Sequence, residues 1–197
     1  MSLEDAPTKF VEASGITFAY RRLGTPHGTP LICLQHFTGT MDSWDPAVVN
    51  GLAEDRPVIV FDNTGVGRSN GKTPDNVTGM AAHAGEFITA LGFARVDLLG
   101  YSLGGFVAQT LATKSHGLVQ KLILVGTAPQ GGEEHLLKVV EEAFSQKEAP
   151  DVRLPLFFTS SAPSQAAGRA FLKRVNLGLR IVIRRVAKPF AMRKPQP

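Results

Sequence analysis

The chain predicts an α/β fold, a mostly parallel, doubly wound sheet with helices on both of its faces. Three observations carry this. Short apolar runs recur at residues 31–34, 58–61, 96–99 and 122–125, with the length and residue types of buried strands. Stretches of helical spacing separate most of them, the order that a parallel sheet requires. At one strand-to-helix junction the sequence reads Gly100-Tyr101-Ser102-Leu103-Gly104, a tight Gly-x-Ser-x-Gly turn.

Taken in order, residues 8–13 and 16–22 alternate in polarity and meet at Ser14-Gly15, a hairpin signal. Residues 24–30 hold two glycines and two prolines and read as a loop. The buried strand 31–34 follows, and Asp42 or Ser43 is expected to cap a short helix running through Leu52. Strand 58–61 ends in the glycine-rich turn 62–69. Thr78 is expected to cap the next helix, whose Met80, Ala84, Phe87, Ile88 and Leu91 fall on one face. After strand 96–99 and the serine turn, Phe106, Val107 and Leu111 mark a helix to Lys114, stopped near His116-Gly117. Strand 122–125 ends at residues 126–129. From Gly131 the pattern becomes helical, with one helix over 133–144 and a second over 164–174, punctuated by Pro150, Pro155 and Pro163. Three parts result: a core over 1–130, a partial helical cap over 131–174 and a basic tail over 175–197.

Composition sets bounds on function. With 197 residues, 43% hydrophobic and 19% charged, the chain suits one globular domain with a substantial core. A single cysteine, Cys33, excludes an internal disulfide and sits in an apolar run as a small core residue. Residues 1–7 show neither a basic nor an apolar signal region, and no apolar run reaches membrane-spanning length, so a cytoplasmic location is expected. The net charge of +4 is misleading as a sign of nucleic-acid binding. Residues 173–197 hold eight of the 21 Lys and Arg and no acid, leaving 13 basic against 17 acidic residues in the body.

The serine turn carries the chemistry. A strand, a sharp glycine-lined turn and a helix expose a serine hydroxyl beside the helix's unpaired N–H groups, whose dipole favours negative charge. With its neighbours the turn resembles the α/β-hydrolase superfamily. Gln35-His36-Phe37-Thr38-Gly39 is similar to the family's oxyanion loop after the third strand. Residues 61–69, with Asp62, Gly65, Gly67 and Ser69, resemble its D-x-x-G-x-G-x-S turn after the fourth strand. Residues 122–127 resemble the strand that follows the elbow helix. The resemblance implies a sheet of the α/β-hydrolase type and serine-mediated hydrolysis of a small ester, lactone or similar carbonyl compound. It makes Ser102 the nucleophile, and the backbone N–H groups of Phe37 and Leu103 the donors to the developing oxyanion. No cofactor and no metal is implied. One departure stands out: His36 falls where the family often has glycine, and a side chain there narrows the pocket or shifts the donor. The superfamily also hosts peroxidases, dehalogenases and lyases, so the reaction class stays open.

The resemblance also calls for an acid and a histidine after the serine. Only His116 and His135 follow Ser102, and neither matches the expected position. His116 lies at the far end of the elbow helix, about 20 Å from its start at 1.5 Å per residue. His36 precedes the serine, His27 and His83 read as surface residues, and Asp151 follows no recognisable strand. Residues 175–197 fit no further strand–helix unit. The expectation is a chain lacking the last strands of its sheet, with an aberrant or disordered tail and weak or absent activity. Its small-molecule chemistry requires no nucleic acid and no membrane span. The outer strand at 122–125 would then be an unpaired edge that favours self-association. The alternative is a non-catalytic interaction protein whose basic tail engages an acidic partner such as anionic lipid or nucleic acid.

Overall fold

The computed structural model of the chain describes residues 1–36, 39–146 and 149–179. Six strands form one sheet: β1 (Lys9–Ala13), β2 (Ile16–Leu23), β3 (Leu31–Leu34), β4 (Val58–Phe61), β5 (Val96–Tyr101) and β6 (Val119–Val125). Their order is β1-β2-β4-β3-β5-β6. β1 and β2 are an antiparallel hairpin, and β2 pairs antiparallel with β4. The remaining neighbours are parallel, with Cys33 opposite Val60 and Leu34 opposite Gly100. The hairpin turns through Ser14 (φ 49°) and Gly15 (φ 78°), the left-handed pair that matches strand twist. The mostly parallel sheet expected of the sequence is present.

Helices cover both faces. They are α1 (Pro46–Leu52), α2 (Val77–Ala90), α3 (Leu103–Lys114), α4 (Glu133–Ser145), α5 (Arg153–Phe157) and α6 (Ala162–Leu179). The pleat explains why β3 and β4 are apolar throughout: alternate residues feed two different cores. Ile32, Leu34, Ile59 and Phe61 join Phe18 of β2, Phe87 and Ile88 of α2, and Val107 and Leu111 of α3. Leu31, Cys33, Val58 and Val60 join Met41, Trp44 and Val49 on the opposite face. Phe61 stacks on Phe87 with centroids 4.2 Å apart, and Phe18 tilts against Phe87 at 5.4 Å. Burial pushes the Cys33 thiol up to about 12.

Several local expectations are corrected. The helix expected from Asp42 or Ser43 is split in two. A 3-10 turn at Met41–Ser43 is capped by Thr40, and α1 is capped by Asp45, whose side chain accepts the Ala47 N–H at 3.0 Å, with Pro46 at the first helical position. Asp42 serves instead in a buried ion pair with Arg21 at 2.7 Å. Asn76, not Thr78, caps α2, accepting the Gly79 N–H at 2.8 Å. β6 starts three residues before the expected 122. The helix α5 has no counterpart among the expected elements, and α6 extends past the predicted 164–174 at both ends, across the boundary drawn at 175. The rest of the basic tail, 180–197, lies outside the described residues.

Two features of the sheet bear on function. β3 sits between β4 and β5, so the chain leaves β3 toward one side and crosses back over it through α2. The carboxyl ends of such strands open onto a crevice. Beyond β5 lies β6, the outer strand among the described residues, with Leu122, Ile123, Leu124 and Val125 each 38–44% exposed. No described helix is long and apolar enough to cross a membrane.

Candidate active site

Ser102 stands between the end of β5 and the first residue of α3 with φ 53° and ψ −119°. Among the described residues only Ser14 shares a positive φ without being glycine. A side chain in this sparsely populated region costs of the order of 1–3 kcal/mol and persists only when its surroundings impose it. Those surroundings are visible. The Ser102 N–H donates to the Val125 carbonyl at 3.0 Å, and its own carbonyl accepts the Gly105 N–H at 2.8 Å. A Cβ at Gly100 would overlap the Gly104 carbonyl and the Gly105 Cα, and one at Gly104 would overlap the Leu34 carbonyl. Two glycines therefore let α3 press directly onto the ends of β5 and β3, and the connecting residue takes up the turn. The Ser102 side chain makes no capping hydrogen bond to α3. Leu103 opens that helix, so its N–H has no intrahelical acceptor and faces outward from the positive end of the dipole.

The loop after β3 borders this turn. Buried Gln35 braces it, accepting the His36 N–H at 2.8 Å and donating to the Thr40 carbonyl at 3.3 Å. Phe37 lies outside the described residues, so of the two expected oxyanion donors only Leu103 is described. The loop after β4 is tied to the same region by Asp62, which is 1% exposed. Its carboxylate accepts the Met41 N–H at 2.7 Å and the Arg68 N–H at 2.8 Å. Burial raises the Asp62 carboxyl above its ordinary range, and the two amide donors pull it back. Ser69 extends the stitching, donating to the Asp62 carbonyl at 2.7 Å and accepting the Ala19 N–H at 2.9 Å. Asp62 and Ser69 thus hold the turn together.

An aromatic group rims the serine turn. Tyr101 meets His36 edge-on at 5.4 Å, Trp44 at 6.2 Å and Phe157 at 5.8 Å. Phe157 also meets His36 at 6.1 Å and Phe171 at 6.2 Å. Burial pushes the Tyr101 phenol up to about 12, so it stays protonated and neutral at pH 7. Phe157 and Phe171 come from α5 and α6. Phe171 lies in the helix expected over 164–174, but nothing in the sequence pointed to Phe157, because the prolines around residue 155 hid α5 and its contacts to Tyr101 and His36 span more than 50 residues.

The other titratable candidates are engaged elsewhere or exposed. His83 on α2 lies 3.0 Å from the Thr64 hydroxyl. His135 is exposed in the first turn of α4, and His116 lies beyond Ser115, which closes α3. Asp151 is held by Arg153 through two bonds of 2.9 and 2.6 Å, and that guanidinium keeps its carboxyl below the usual range. Among the described residues, no group of three or more His, Cys, Asp or Glu could hold a metal ion.

Comparison with known proteins agrees with this architecture. A family model described as the alpha/beta hydrolase fold matches residues 29–168. The proline iminopeptidase PfmaB of Pestalotiopsis fici is 34% identical over 149 residues, 70% of this chain and 50% of that protein. The poly(3-hydroxyalkanoate) depolymerase of Ectopseudomonas oleovorans is 32% identical over 108 residues, 54% of this chain and 38% of that protein. A solved structure, the alpha/beta hydrolase fold protein from Chitinophaga pinensis, superposes with a TM-score of 0.83 at 45% identity, covering 89% of this chain and 64% of that one. The chain spans about half the length, or less, of the curated relatives it matches. The parallel sheet, the serine turn between β5 and α3 and the matched residues lead to one conclusion: the chain belongs to the α/β-hydrolase family.

Proposed function

We propose that this chain carries the nucleophilic half of a serine hydrolase acting on a small ester, lactone or similar carbonyl compound. Ser102 is the nucleophile. Its Oγ bonds to the substrate carbonyl carbon, the carbonyl π electrons move to oxygen, and the Leu103 and Phe37 N–H groups hold that oxyanion. Collapse expels the alcohol, which takes up the serine's proton, and water then releases the acid and restores the hydroxyl. Fixed N–H donors favour the oxyanion over the ground-state carbonyl, which is the source of the rate. The observation that carries this reading is the φ of 53° at Ser102, with its side chain not used for capping. No residue is assigned as base or orienting acid, so slow hydrolysis is expected of the 197-residue chain.

Hydrolysis of p-nitrophenyl acetate by the full chain and by Ser102→Ala tests it. A rate that falls to background in the variant supports the assignment, and equal rates in both remove it.

A second reading, an interaction protein that binds an acidic partner, is favoured by the eight basic residues and no acid in 173–197. Equal ester rates together with salt-dependent binding to anionic vesicles or DNA would favour it. Self-association through the outer strand is also proposed, supported by the exposure of Leu122 to Val125. A cytoplasmic location is proposed on the single cysteine, which is buried in the core.

A further inference from the structure

Among the described residues, one charged contact joins the helices that follow β6 to the sheet core. Arg174 of α6 grips Asp45 with both ends of its guanidinium, Nε to Oδ1 at 2.8 Å and Nη2 to Oδ2 at 2.6 Å. Among ion pairs between described residues, this alone links residues 133–179 to the sheet and its first helices. Asp45 is well placed as an anchor. It caps α1, its side chain is 11% exposed, and Arg174 holds its carboxyl below the ordinary range. It also directly follows Trp44, the only tryptophan in the chain, whose ring lies 6.2 Å from Tyr101. On the other side of the clasp, Val175 of α6 is fully buried. Phe171, one turn before Arg174, backs Phe157, which rests on Tyr101 and His36.

We propose that Asp45 and Arg174 form a positioning pair that seats α6 and thereby holds Phe157 on the rim of the Ser102 turn, narrowing the entrance. The geometry favours a specific contact: a bidentate guanidinium–carboxylate bond fixes direction as well as distance. Aromatic contacts supply the apolar area but not the register, since rings tolerate many offsets. Releasing the pair lets α6 shift, withdraws Phe157 from Tyr101 and wets Trp44. The meaning of the rim rests on the serine reading, but the seating does not.

Trp44 reports on the seating without any turnover. Emission and acrylamide quenching are measured on the full chain, on Asp45→Asn, on Arg174→Gln and on the double variant. Asparagine also caps helices well, so Asp45→Asn keeps α1 while removing the charge. Each single change should red-shift Trp44 and raise the quenching constant by a factor of about two, the mark of local opening. The double variant should match the singles, because they break one contact. Arg174→Lys, with a charge but no fork, should restore part of the shielding. Circular dichroism separates local opening from unfolding. Unchanged quenching in both singles, or effects that add in the double variant, overturns the pair. Where the full chain hydrolyses p-nitrophenyl esters, the singles should change KM for the octanoate more than kcat. A chain that hydrolyses nothing refutes the serine reading, and the Trp44 data still decide the seating.

Discussion

Replacing Ser102 by glycine is expected to stabilise the protein, although it removes the proposed nucleophile. At φ 53° and ψ −119° a side chain pays of the order of 1–3 kcal/mol, while glycine occupies the same region freely. Against this, glycine loses more backbone entropy on folding, roughly 0.5–1 kcal/mol. The difference leaves roughly 0–2.5 kcal/mol, about 1 kcal/mol at mid-range, in favour of Ser102→Gly. Ser102→Ala keeps the Cβ and hence the strain. No capping bond is lost in either case, so Ser102→Ala should stay within about 0.5 kcal/mol of the parent. For a chain of this size the mid-range gain makes the glycine variant melt about 2–4 °C above the alanine variant. Both curves are read by circular dichroism and by urea unfolding followed through Trp44. Comparing glycine with alanine removes the hydroxyl from both arms and isolates the backbone. Equal melting temperatures, or a lower one for glycine, would show that the turn at 102 stores no strain, and the main support for a poised hydroxyl would be gone.

Three further outcomes concern other parts of the fold. Gly104→Ala would place a methyl against the Leu34 carbonyl, a backbone atom that cannot move aside, and should cost about 1–3 kcal/mol in urea unfolding; a cost below 0.5 kcal/mol would mean that α3 and β3 are not in close contact. Cys33, with its thiol pushed from 9.0 up to about 12, should resist Ellman's reagent in the folded protein and react at once in guanidinium. Because the unfolded thiol ionises first, its contribution to stability is complete below pH 9 and declines as pH rises toward 12, which alkaline melts will record. Ile123→Lys places a charge on the exposed strand β6 and should lower the sedimentation-derived association of the chain; an unchanged association would place self-contact elsewhere.

The sequence was most informative where one residue type answers one local demand. Gly100 and Gly104 announce the close approach of helix and strands, and the apolar runs at β3 and β4 announce a sheet covered on both faces. Caps were harder to place. Asp42 and Ser43 are good capping types, yet Asp42 is drawn into the core by Arg21, 21 residues away, and the cap passes to Asp45. Thr78 lost to Asn76 for a related reason: both side chains can cap, and only the fold decides which N–H is left open. Pro163 reads as a break in sequence but sits at the second position of α6, where a missing N–H costs nothing. The rim itself was out of reach. Arg174 and Asp45 are 129 positions apart, and no periodicity connects them.

Asp62 has a consequence for anyone redesigning the loops beside the serine turn. One carboxyl group is the common mooring for two segments, the stretch that opens at Met41 and the stretch that closes at Arg68. Neither can be grafted from a relative as an independent cassette, since a transplanted segment that fails to offer its amide at the right place unties its neighbour as well. Sequence libraries in this region should therefore vary both stretches together around a fixed aspartate, or leave both alone.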